Sequence, residues 1–129
     1  MTFAQKKGVN LTLQQLIDIC AAQKGVTQEF PFDDTTLVFK VMGKMFALVN
    51  LDTPYSVNLK CDPVYAIALR HKYKNVRAGY HMSKKHWNTI DLEGDVPDKE
   101  LNEWISDSYE LVVAGLTRAQ QQKLAELEG

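Results

Sequence analysis

The 129-residue sequence predicts one α+β domain, an antiparallel sheet packed against helices, with residues 1–129 as a single unit. Three observations predict it. Apolar residues recur at helical spacing near the start, the period switches to two between residues 37 and 60, and helical spacing returns in the second half. No repeat, linker or low-complexity stretch divides these segments.

The first helix starts at a capping box, Thr12-Leu13-Gln14-Gln15, with Leu11 and Leu16 placed to staple it. Leu13, Leu16, Ile17, Cys20 and Ala21 form its apolar stripe, so Cys20 reads as a small core residue, and Gly25 supplies a stop. After a polar turn around Phe30–Asp34, Leu37, Phe39 and Val41 alternate with Val38 and Lys40. Met42-Gly43-Lys44 makes a tight turn, and Met45 to Leu51 is apolar enough for a central strand. Beyond Asp52-Thr53-Pro54, Tyr55, Val57 and Leu59 alternate with Ser56, Asn58 and Lys60, the pattern of a sheet covered on one side only. These three strands form a meander.

Asp62 as N-cap and Pro63 as first residue open a second helix, in which Val64, Ile67, Ala68 and His71 share a face. Val76 to Lys85 reads as a loop or extended wing, and His86 to Leu92 as a strand. A third helix begins at Pro97, tracks its buried side through Leu101, Trp104, Ile105, Ser108 and Val112, and stops at Gly115. Thr117-Arg118-Ala119-Gln120 is a further capping box, so residues 117–129 are a helical tail with Leu124 and Leu127 as anchors.

Composition narrows the functional classes. No apolar run approaches the roughly 18 residues of a membrane span, and the opening MTFAQKKGVN lacks the apolar core of a secretory signal. Cys20 and Cys61 are the only cysteines, so a reducing cytoplasm is expected. The formal net charge of −1 hides a segregation. Residues 1–62 carry six basic and six acidic residues; residues 63–90 carry six basic residues, no acid and all three histidines; residues 91–129 carry three basic and ten acidic residues. Clustered cations create a local potential that net charge does not report, so near-neutrality does not exclude a nucleic-acid partner.

Enzymatic motifs are missing: the chain has no GxGxxG, Walker A, GxSxG or CxxC. Cys61, His71, His81 and His86 match no compact zinc spacing, and no metal or other cofactor is expected. Cys61 precedes a helix N-terminus beside Lys60, which favours a reactive thiolate, while Asp62 opposes it. No catalytic residue is assigned. The densest constellation is Gly79-Tyr80-His81-Met82-Ser83-Lys84-Lys85-His86-Trp87-Asn88-Thr89, where cations, hydroxyls and amides that contact phosphates alternate with rings that stack on bases.

Four stretches together resemble the MmcQ/YjbR family of small bacterial proteins: Phe30-Pro31-Phe32 with Thr36–Val41, Gly43–Leu48, Val57-Asn58-Leu59-Lys60-Cys61-Asp62-Pro63, and Gly79–Thr89. Ser108–Val113 looks like the family's last core helix, and the resemblance covers about residues 8–116. It implies a CyaY-like (frataxin-like) two-layer sandwich and a double-wing DNA-binding protein, and it brings no catalytic residues. Its motifs add Asn58 and Lys60 to the candidate contacts. The expected function is binding of double-stranded DNA by Arg70, Lys72, Lys74, Arg77, Lys84 and Lys85 on phosphates, with His81, His86 and Asn88 as further polar contacts. The alternative is a module that binds a protein or a small anionic ligand through the same basic surface; a Cys/His enzyme is the third reading.

Overall fold

The computed structural model of the chain describes residues 11–79 and 83–127. Its elements in chain order are α1 (Leu13–Ala21), β1 (Val26–Glu29), β2 (Thr36–Val41), β3 (Lys44–Asn50), β4 (Ser56–Lys60), α2 (Pro63–Lys72), β5 (Val76–Ala78), β6 (Trp87–Asp91), α3 (Asp98–Ala114) and α4 (Arg118–Glu126). Six strands form one antiparallel sheet in the order β1-β2-β3-β4-β6-β5. The meander is its centre. Met42 and Gly43 both take positive φ (50° and 82°), the geometry a two-residue β2–β3 hairpin requires.

One face of the sheet carries the main core. Leu37, Phe39, Val41, Val49, Val57, Leu59, Val76 and Ile90 point to it and meet Leu16 and Cys20 of α1, Leu69 of α2, and Leu101, Trp104, Ile105 and Val112 of α3. The capping boxes at Thr12 and Thr117 are both formed, and Gly115 caps α3. The tail helix docks on the domain. Leu124 is buried, Gln121 donates to the Val113 carbonyl at 2.9 Å, and Lys24 donates to the Ala125 carbonyl at 3.1 Å.

Ser108 locks α3 to the sheet. Its fully buried hydroxyl donates to the Phe46 carbonyl at 2.6 Å and accepts from the Lys60 amide at 2.8 Å. Phe46 lies at the register shift between β2 and β3, where the ladder is interrupted and a backbone group needs another partner.

Three expectations change. β1 was not anticipated: residues 26–29 are mostly exposed and pair at the sheet edge without an apolar alternation. Part of the expected wing is strand, since Val76–Ala78 pair with β6. In α2 the stripe Val64, Ile67, Ala68 and His71 faces solvent, whereas Ala66 and Leu69 are buried. The reason lies beneath the helix. Asn88 of β6 donates to the Ala66 carbonyl at 3.2 Å, a close approach that a small residue permits and a Val or Ile stripe does not.

Candidate nucleic-acid interface

No helix of the described residues covers the second face of the sheet. Its residues include Thr36, Val38, Met45, Leu48, Asn50, Ser56, Asn58, Arg77, Trp87 and Thr89. Val38, Leu48 and Trp87 are buried there in a small cluster with Met45, so Trp87 packs apart from the main core. An open hollow of about 790 Å³ beside this cluster is lined by Phe32, Asn50, Ser56, Asn58, Arg77 and Thr89, among others. Asn58 and Thr89 share a side-chain hydrogen bond across the β4–β6 pair.

The wing closes at one end of this face. The Gly79 amide donates to the Trp87 carbonyl at 2.9 Å, and a Cβ on Gly79 would lie 2.8 Å from the Trp87 Cβ, so only glycine allows this approach. Residues 83–86 turn, with the His86 and Trp87 amides donating to the Ser83 carbonyl. The Cys61 amide donates to the His86 carbonyl at 2.7 Å, and Lys60 pairs with Trp87. Lys60 therefore adjoins exposed Lys84 and Lys85 and half-buried His86.

The remaining candidates do not join them. The Arg70 guanidinium turns inward: Nε donates to Asn88 Oδ1 at 2.6 Å, and an NH2 group reaches the Lys84 carbonyl and, at 3.4 Å, the Trp87 carbonyl. Asn88 is 2% exposed, on the helix side of β6. Both residues are engaged inside the protein as a tie between α2 and the wing, rather than grouped with Lys60, Lys84 and Lys85. Lys72 and Lys74 belong to the opposite end of the β5–β6 ladder. Lys72 Nζ sits over the Tyr73 ring, the Tyr73 hydroxyl donates to Glu100 at 2.7 Å, and the Asn75 carbonyl accepts from the Asp91 amide. That end is about 13 Å from Trp87 along the strand. Arg77 forms an ion pair with Asp91 at 2.7 Å on the open face. His81 lies outside the described residues.

The surroundings of Cys61 oppose ionisation of its thiol. Burial, followed by the nearby Asp62 and Asp107 carboxylates, pushes its pKa up to about 11 against the opposing effect of Arg70. Desolvation and the Asp62 charge, the latter already visible in the sequence, outweigh the groups that favour the thiolate. Cys20, in the core, is pushed up to about 12 by burial. Sequence reasoning missed the Arg70–Asn88 tie and the Ser108 bridge. A lone buried-face serine in α3 was the visible sign of the second; nothing in the pattern marked the first.

The YjbR family model matches residues 21–111, which contain the sheet, the wing and most of α3. The chain belongs to the YjbR family. Among YjbR relatives, it is 30% identical to the uncharacterised protein YjbR of Escherichia coli K12, over 91% of this chain and all of that one. It is 35% identical to the uncharacterised protein YbdF of Escherichia coli O157:H7, over 74% of this chain and 79% of that one. A crystal structure of a Deinococcus radiodurans protein carrying the DUF419 family-model domain is similar with a TM-score of 0.82 and 39% identity, covering 92% of this chain and 93% of that one. A Pseudomonas syringae protein of known structure is similar with a TM-score of 0.69 and 28% identity, covering 78% and 98%. The α+β sandwich is thus a fold shared across YjbR-like chains. Among the described residues no helix is long and apolar enough to cross a membrane.

Proposed function

We propose that this YjbR-family protein binds the backbone of double-stranded DNA with the wing end of its sheet, through Lys60, Lys84 and Lys85, with His86 as a polar neighbour. One observation carries the reading: Lys84 and Lys85 are exposed on a turn anchored beside Lys60, and residues 63–90 hold no carboxylate. The double-wing description attached to the family resemblance points to the same part of the chain. No catalytic step is assigned. The reading places the protein in the cytoplasm, where its two free cysteines stay reduced.

The test is a salt titration of duplex binding. Three phosphate-contacting lysines give a slope of log K against log salt of about −2.7, and Lys84→Ala with Lys85→Ala reduces it to about −0.9. All duplexes weaken alike, because phosphate contacts carry little base information. No duplex binding at low salt, or a slope unchanged in the double variant, refutes the proposal. A small anionic ligand is the second reading, favoured by the polar hollow that Asn58, Thr89 and Arg77 line next to the wing. A mononucleotide that raises the melting temperature saturably, in a protein that ignores duplexes, selects that reading.

A further inference from the structure

On the helix-covered side, α2 and α3 do not close over the sheet. Between them lies a cleft of about 350 Å³ that reaches down to Leu59 and Ile90, with Leu69 and Trp104 as its walls and Tyr65 and Leu111 at its mouth. The four inner residues are buried, whereas Tyr65 and Leu111 are 46% and 39% exposed although both are large and apolar. Asn88, also in the lining, is 2% exposed with its amide bonded to Arg70 and the Ala66 carbonyl, and a mostly apolar cleft of this size has the character of a small-molecule site.

The rim carries a sign. Asp62, Asp107 and Glu110 border the cleft, and among the described residues lining it Lys60 is the one basic residue, its strand position facing the other side of the sheet. Arg70, the other nearby cation, is spent on Asn88 and two backbone carbonyls. Asp62 uses one oxygen to cap α2, accepting from the Val64 and Tyr65 amides. Among the described residues, Asp107 and Glu110 enter neither of the two ion pairs. The field of Asp62 and Asp107 reaches inward as far as the Cys61 thiol, whose ionisation both oppose.

We propose that the α2–α3 cleft binds a small molecule with an aromatic or otherwise apolar body and a single cationic amine, the body resting on Leu59, Ile90 and Trp104 and the amine lying against Asp107 and Glu110. The cleft lies on the helix-covered face of the sheet and shares only Lys60 with the wing-end surface, and duplex binding is not part of its test. An anion of the same shape is disfavoured by the carboxylates, and a more polar cation gains little from the apolar floor.

The probes are 1-naphthylmethylamine, cationic at neutral pH, and 1-naphthylacetate, its anionic counterpart, titrated into the full chain while amide resonances are followed by NMR. The amine shifts the amides of Cys61, Tyr65, Leu111 and Ala114 saturably, and the acetate binds at least threefold more weakly. Asp107→Asn with Glu110→Gln weakens the amine roughly three- to tenfold, as expected for two exposed ion pairs, and leaves the acetate no worse. Ala114→Phe at the exposed mouth abolishes binding of the amine while the rest of the spectrum is retained. Equal or tighter binding of the acetate overturns the proposal, as does the absence of saturable shifts with the amine up to its solubility limit. Shifts of the same amides that follow protein concentration, together with faster sedimentation, overturn it too, because a second copy then fills the cleft.

Discussion

Arg70→Ala separates a residue that holds the wing from one that grips a ligand. Among the described residues the Arg70 Nε–H is the donor to Asn88 Oδ1, at 2.6 Å, and Asn88 is 2% exposed. Truncation leaves that oxygen buried without its charged donor, a loss of about 1.5–3 kcal/mol. The contact with the Trp87 carbonyl, at 3.4 Å, adds little. The Lys84 carbonyl belongs to an exposed residue and can be rehydrated. With an unfolding entropy of about 2.1 cal/mol/K per residue, a chain of this length loses about 4 °C of melting temperature per kcal/mol, so Arg70→Ala lowers Tm by about 6–11 °C. Arg70→Lys keeps the charge and loses the planar fork, so it recovers only a minor part of that loss. Thermal unfolding followed by circular dichroism measures both. The reasoning fails if Arg70→Ala melts within about 2 °C of the parent, which means that the tie contributes no stability, or if Arg70→Lys restores full stability, which means that charge rather than planar geometry is what Arg70 provides.

Two other perturbations follow from buried groups. Ser108→Ala strands the Phe46 carbonyl and the Lys60 amide and should cost about 2–4 kcal/mol in urea unfolding; amide exchange at Lys60 accelerates relative to Leu59, and an unchanged midpoint refutes the bridge. Cys61, with its pKa pushed up to about 11, has about a hundredfold less thiolate than an ordinary cysteine, partly offset by greater intrinsic nucleophilicity, so iodoacetamide labels it roughly tenfold more slowly than an unstructured peptide. The same shifts set a pH dependence. Cys20 and Cys61 remain protonated in the native state when the unfolded chain ionises near 9, so the folded form binds more protons and stability, full below pH 9, falls as pH rises toward 11. A flat urea midpoint across that range contradicts it.

Much of the fold was legible because local signals and tertiary demands agreed. The capping boxes at Thr12 and Thr117 and the Asp62-Pro63 start are decided within four residues, and each forms as written. The alternation of Val57 and Leu59 with Ser56, Asn58 and Lys60 reports a sheet with one covered face, which the structure has. Two failures have physical causes. β1 is an edge strand whose residues gain backbone pairing and bury little, so periodicity is silent there. The α2 stripe misleads because a helix docks by whichever face fits the surface below it. Here that surface presents Asn88, which donates to the Ala66 carbonyl, and α2 buries Ala66 and Leu69 against it, leaving Val64 and Ile67 exposed.

The basic run shows the same limit on the functional side. Between Arg70 and Lys85 the chain leaves the end of α2, turns through Lys74 and Asn75, returns along β5 and turns again at the wing. A reversal inside a charged stretch distributes its cations to both ends of a ladder, whatever their proximity in sequence. Lys72 and Lys74 are left near Glu100 and Asp91, Arg77 pairs across to Asp91, and Arg70 is drawn inward by a buried amide. Conversely, Lys60, from a strand outside the run, is brought beside Lys84 and Lys85 by the β4–β6 register. Six cations in one stretch would imply a salt slope near −5 if all met phosphates, whereas the three at the wing end imply about half of that. A measured slope steeper than about −4 would mean that Lys72 and Lys74 engage the same duplex from the far end, which requires DNA to follow the full β5–β6 edge rather than meet the wing alone.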